Sequence, residues 1–66
     1  MSKYNIKVKL VENDNAFAIM GAVQKALKDA AVPKEETDKF FAEVKNGDYD
    51  HLRQVCEEWV NVKWQR

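Results

Sequence analysis

Tyr4-Asn5-Ile6-Lys7-Val8-Lys9-Leu10 alternates without a break: Tyr4, Ile6, Val8 and Leu10 fall on one face, and Asn5, Lys7 and Lys9, with Lys3 before them, fall on the other. A period of two is that of a strand with one face buried and one face in water. Its counterpart closes the chain, where Val60, Val62 and Trp64 alternate with Asn61 and Lys63. The apolar positions there are β-branched or aromatic, the residue types that fit a pleated surface. Between these two segments the apolar spacing changes to that of helices.

Asn13-Asp14-Asn15 follows the first strand, and its short polar side chains favour a turn and can accept from the unpaired amides of a helix start. The spacing predicts a helix from about Asn15, with Ala16, Ile19, Met20, Val23, Ala26, Leu27 and Ala30 as the apolar stripe and Phe17 at its edge. Ala18, Gly21 and Ala22 form a second, small-residue surface. Glycine inside a helix costs about 1 kcal/mol against alanine, so the expected use of Gly21 is close approach of another backbone.

Val32-Pro33 ends this helix, and a second is expected from Pro33 or Lys34, with Thr37, Phe40, Phe41 and Val44 facing inward. Asn46-Gly47 should close it, the glycine taking the left-handed turn. Asp48 then caps a third helix running to about Glu58, with Leu52, Val55, Cys56 and Trp59 as its stripe and Tyr49 at its base. The expectation is one α+β domain over residues 1–66, in the order β-α-α-α-β. Two strands alone are marginal, so they should pair, in the antiparallel sense, and lay their apolar face on the three helices.

Sixty-six residues support a core worth only about 3–5 kcal/mol, and Cys56, the lone cysteine, cannot staple it with an internal disulfide. A single thiol suits a reducing compartment, and no apolar run approaches the ~18–20 residues that cross a bilayer. These features, with an N-terminus that lacks the apolar core of a signal peptide, predict a soluble cytoplasmic protein without a membrane partner. Two tryptophans and the adjacent Phe40 and Phe41 are a large apolar load for so short a chain, and homodimerisation would help to bury it.

Little of this inventory suits catalysis. Asp48, Asp50 and His51 crowd together, but capping and first-turn roles account for both aspartates, and no second cluster is placed to complete a metal site. His51 and Cys56 are the sharpest nucleophile pair. Five positions apart on one helix they do not share a face, and Cys56 falls in the core stripe. Only two glycines and one serine are present, so neither a phosphate-cradling loop nor a serine nucleophile is expected. No cofactor is implied.

Charge carries what remains. Lysine plus arginine and aspartate plus glutamate balance at 11 each, yet residues 1–33 hold five basic and three acidic groups and residues 34–58 hold four basic and eight acidic. Glu35, Glu36, Asp38 and Glu43 on the second helix, with Asp48 and Asp50 beyond it, form an acidic surface suited to a basic protein partner, including one whose groove holds nucleic acid. The leading expectation is a non-enzymatic protein-interaction module using that surface. The alternative is a nucleic-acid binder using Lys7, Lys9 and Lys63 on the outer face of the strands. Its plainer reading is that lysines on strand edges prevent aggregation.

The run Asn15-Ala16-Phe17-Ala18-Ile19, the segment Gly47-Asp48-Tyr49-Asp50-His51-Leu52 and the closing Trp59-Val60 together resemble a family of small proteins of bacteria and their phages. The resemblance spans most of the chain. It implies a setting rather than a chemistry, because the family brings no activity or ligand set to carry over. Small phage-borne domains often act by stoichiometric binding to a host or phage protein, inside the bacterial cell, and inhibitors of CRISPR defence are similar in size and compactness.

Overall fold

The computed structural model describes residues 2–66. Its elements are β1 (Lys7–Val11), α1 (Ala16–Asp29), α2 (Lys34–Val44), α3 (Tyr49–Trp59) and β2 (Asn61–Gln65), the expected α+β order. Asn15 caps α1 by accepting from the Phe17 amide at 2.8 Å, and Asp48 caps α3 by accepting from the His51 amide at 3.0 Å. Pro33 precedes α2, where its fixed φ suits a helix start and its missing N–H leaves one fewer amide unpaired.

α1 packs on β1 and α3 on β2, while α2 packs against α1 and α3. Ile19, Val23 and Leu27 of α1, Phe40 and Val44 of α2, and Leu52, Val55, Cys56 and Trp59 of α3 join Val8, Leu10 and Val60 in one buried cluster. Phe40 and Trp59 pack edge to face at 5.7 Å, an arrangement that aligns the positive edge of one ring with the negative face of the other. Phe41, Tyr4, Ile6, Val62 and Trp64 pack around the cluster, half-buried. No described helix is long and apolar enough to cross a membrane.

The strands are parallel, in the register Lys7↔Asn61, Val8↔Val62, Lys9↔Lys63, Leu10↔Trp64 and Val11↔Gln65. This corrects the antiparallel expectation, and the reason is one of parity. Each short connection reverses the chain, so successive elements run alternately up and down. With three helices between them, β1 and β2 emerge in the same direction. Backbone bonds hold that geometry at the strand origins: the Tyr4 amide donates to the Trp59 carbonyl at 2.9 Å and the Asn61 amide to the Ile6 carbonyl at 2.8 Å.

Both glycine expectations are also corrected. Gly21 is exposed, and a Cβ built on it would find nothing within 4 Å, so no backbone of this chain approaches it. Gly47 does not take a positive φ; it is confined because a Cβ there would lie 2.6 Å from His51 Cβ. The left-handed helix closure belongs instead to Ala31, at φ 61°. Its amide donates to the Lys28 carbonyl at 2.9 Å and the Val32 amide donates to the Leu27 carbonyl at 3.0 Å, the paired bonds of a Schellman turn that returns Val32 toward the core.

Left-handed geometry strains any residue with a Cβ by roughly 1–2 kcal/mol. Ala31→Gly should therefore raise the melting temperature by several degrees, on the scale of about 4–8 °C per kcal/mol for a domain of this size. Gly47→Ala should lower it, as overpacking costs about 1–3 kcal/mol. Thermal unfolding followed by circular dichroism checks both signs.

Candidate nucleic-acid interface

In a parallel pair, residues in register point to the same face. The outer face of the sheet therefore carries Lys7 beside Asn61 and Lys9 directly opposite Lys63, with Val11 opposite Gln65 at the far end. All six are exposed, and a shallow depression of about 430 Å³ runs along Lys7, Lys9, Asn61 and Lys63. Strand geometry sets Lys7 about 6.6 Å from Lys9 along β1 and Lys9 about 4.8 Å from Lys63 across the pair.

No ion pair reaches Lys7, Lys9 or Lys63 among the described residues. Glu12, one residue beyond β1, is drawn to Arg53 at 3.5 Å and Arg66 at 3.9 Å. Lys3, grouped with these lysines by alternation alone, leaves the face. Its ammonium lies 4.3 Å from the centre of the Trp59 ring and 2.5 Å from Glu36. Trp64 is on the inner side, with Arg53 stacked 4.6 Å over its ring and its indole N–H donating to Glu57 at 2.8 Å. The lysine face therefore has no aromatic platform on which a base would stack.

The six acidic residues of the other candidate surface divide into two groups. Glu36 accepts from the Tyr4 hydroxyl at 3.0 Å and pairs with Lys39 at 3.0 Å as well as with Lys3. Hydrogen bonds from Lys3, then Lys39, then Tyr4 hold its carboxyl down at about 2. The bond to Glu36 raises Lys3, and loss of hydration, followed by that carboxylate, raises Tyr4. Glu43 accepts the Trp59 indole N–H at 2.9 Å, and Asp48 is committed to capping α3. Glu35, Asp38 and Asp50 remain exposed with no side-chain partner among the described residues. The alternation that placed Tyr4 inward gave no sign of the Lys3–Glu36–Tyr4 network, because it joins residues over thirty positions apart.

His51 and Cys56 do not come together as a nucleophile and base. A carbonyl can only accept, so the 2.9 Å contact of His51 Nε2 with the Glu43 carbonyl makes Nε2 a donor tying α3 to the end of α2. Cys56 is fully buried, and desolvation, reinforced by the charge of Glu57, pushes its thiol up to about 11. At neutral pH the thiolate that nucleophilic attack requires is scarcely populated. Among the described residues no three His, Cys, Asp or Glu side chains are grouped as a metal ion would need.

No known protein family, curated protein or solved structure matches this chain.

Two measurements follow. A carboxyl held below its ordinary value stabilises the fold above that value and loses the contribution on protonation. Glu36→Gln should lower the melting temperature at pH 7, and the deficit should close as pH falls from 4.5 toward about 2; a deficit unchanged at low pH would remove the charged network from the account. Cys56 should resist a disulfide-exchange reagent at pH 8 in the native protein and react at once in denaturant.

Proposed function

We propose that this protein is a non-enzymatic binding module that holds the phosphate backbone of a nucleic acid with Lys7, Lys9 and Lys63. The observation that carries the reading is the register: Lys9 stands opposite Lys63 with Lys7 one step along the same face. Like charges directly opposite destabilise a strand pair, and no carboxylate among the described residues pairs with them. Phosphates would. Three point charges without a stacking ring or a planar donor fork contact backbone rather than bases, so binding is independent of sequence.

A protein partner on the acidic side is the second reading. Its support is narrower than six carboxylates suggest, since Glu36, Glu43 and Asp48 are engaged within the chain, and it rests on Glu35, Asp38 and Asp50.

Three phosphate contacts correspond to a log K against log salt slope of about −2.7 on duplex and about −2 on single strands. Fluorescence anisotropy with labelled DNA at low salt should return such a slope. Lys9→Gln should reduce it by about one, and Lys9→Glu with Lys63→Glu should abolish binding. Absence of binding at low salt would overturn the nucleic-acid reading. A protein partner that tolerates the lysine reversals but is lost with Glu35→Lys and Asp38→Lys would transfer the function to the acidic side.

A further inference from the structure

Phe17 is 82% exposed, on the first turn of α1. At about 100° per residue, Phe17, Gly21, Gln24 and Lys28 form one stripe along the outside of that helix, flanked by the exposed Ala18 and Lys25. At its C-terminal end the stripe borders a groove of about 300 Å³ between α1 and α2, lined by Gln24, Lys28, Val32 and Thr37 among others. The groove's lining, which also includes Lys34 and Asp38, exposes more apolar than polar surface around Val32, and no aromatic residue is among those that line it. Beyond the other end, in the turn just before the Asn15 cap, stands Asp14, exposed, its carboxylate accepting the Asn15 amide at 2.8 Å but without a cationic partner among the described residues, just as Lys28 lacks an acidic one.

These features are complementary to themselves. Opposing two copies of α1 in antiparallel fashion about a two-fold axis at Gly21 maps each residue onto the position equally far on the other side. Phe17, four residues before the axis, then meets the partner's surface between Gln24 and Lys28, at the mouth of the groove. Asp14, in the turn that leads into the helix, then lies at the end of the contact where the partner's Lys28 sits, and the pair forms twice. At the axis two glycines face each other, so the helices can approach without a side chain between them.

We infer that two copies of this chain associate through α1 about Gly21, with Phe17 of each seated in the α1–α2 groove of the other and Asp14 paired with the partner's Lys28. This occupant accounts for the ring in water, for the helical glycine that no described residue packs against, and for two opposite charges without ionic partners at the two ends of α1. A contact confined to one helix is at the small end of specific interfaces, so the association is weak and reversible.

Sedimentation equilibrium from about 10 μM to about 1 mM, a range bracketing weak association, tests it, with circular dichroism confirming that each variant is folded. The wild-type mass should rise toward twice that of the monomer. Phe17→Ala should shift the dissociation constant upward at least tenfold, and Gly21→Leu should do the same while leaving the folded monomer at least as stable. Asp14→Lys and Lys28→Asp should each weaken association, and the double exchange should restore it; restoration separates the ion pair from any damage to the α1 cap. A mass that stays monomeric throughout, or a dimer indifferent to Phe17→Ala and to the charge exchange, would overturn the inference.

Discussion

The end of α3 is the joint on which the other parts depend. Trp59 puts its ring into the core at 4% exposure, donates its indole N–H to Glu43 of α2, and is covered by the Lys3 ammonium. Its carbonyl accepts the Tyr4 amide while the neighbouring Glu58 carbonyl accepts that of Lys3. One residue therefore fixes α2 by a side-chain bond, the segment before β1 by a backbone bond that its neighbour Glu58 doubles, and the starting point of β2 by covalent continuity. Because β2 leaves this joint beside the origin of β1, the sheet can only be parallel. A two-stranded parallel pair is weak by itself, and anchoring both strand origins to one buried tryptophan limits the freedom they would otherwise have.

The elements were legible because each rested on a local signal: a period of two for Tyr4–Leu10, a cap at Asn15 and at Asp48, a proline before α2. Strand direction was not a local property. It was nevertheless implicit in the count of helices, since three helices mean four reversals, and an even number sends the chain out in its original direction. The glycines were misread for a different reason. Gly47 is constrained by the side chain of His51, four residues on, and Ala31 takes a left-handed turn because the Schellman bonds and the return of Val32 to the core offset its strain. Neither cause is visible in the identity of the residue itself.

Candidate surfaces were harder to read than elements, because charge on a sequence is not charge available to a partner. Glu36 looks like any first-turn carboxylate, yet it is bound by Lys3, Lys39 and Tyr4 together. Lys3 looks like one more strand lysine, yet it belongs to the opposite network. Pairing thus removes half of the acidic candidates and one of four basic ones. The lysine face is left compact and the acidic side dispersed, although composition alone favoured the acidic side.

Natural sequences agree with themselves at most levels, and their departures concentrate where strain or function requires. Four departures stand out here: Ala31 at positive φ, Gly21 inside a helix, Lys9 opposite Lys63, and Phe17 in water. The first is compensated within the chain by two backbone bonds and a half-buried valine packed against the core. The others have no such compensation among the described residues. In a domain whose core is small, uncompensated departures draw on a narrow margin of stability. That distinction separates strain that the fold absorbs from features whose energetic return lies outside the monomer. It directs attention to two separate surfaces, the bare face of the sheet and the outer stripe of α1, rather than to any pocket or reactive side chain inside.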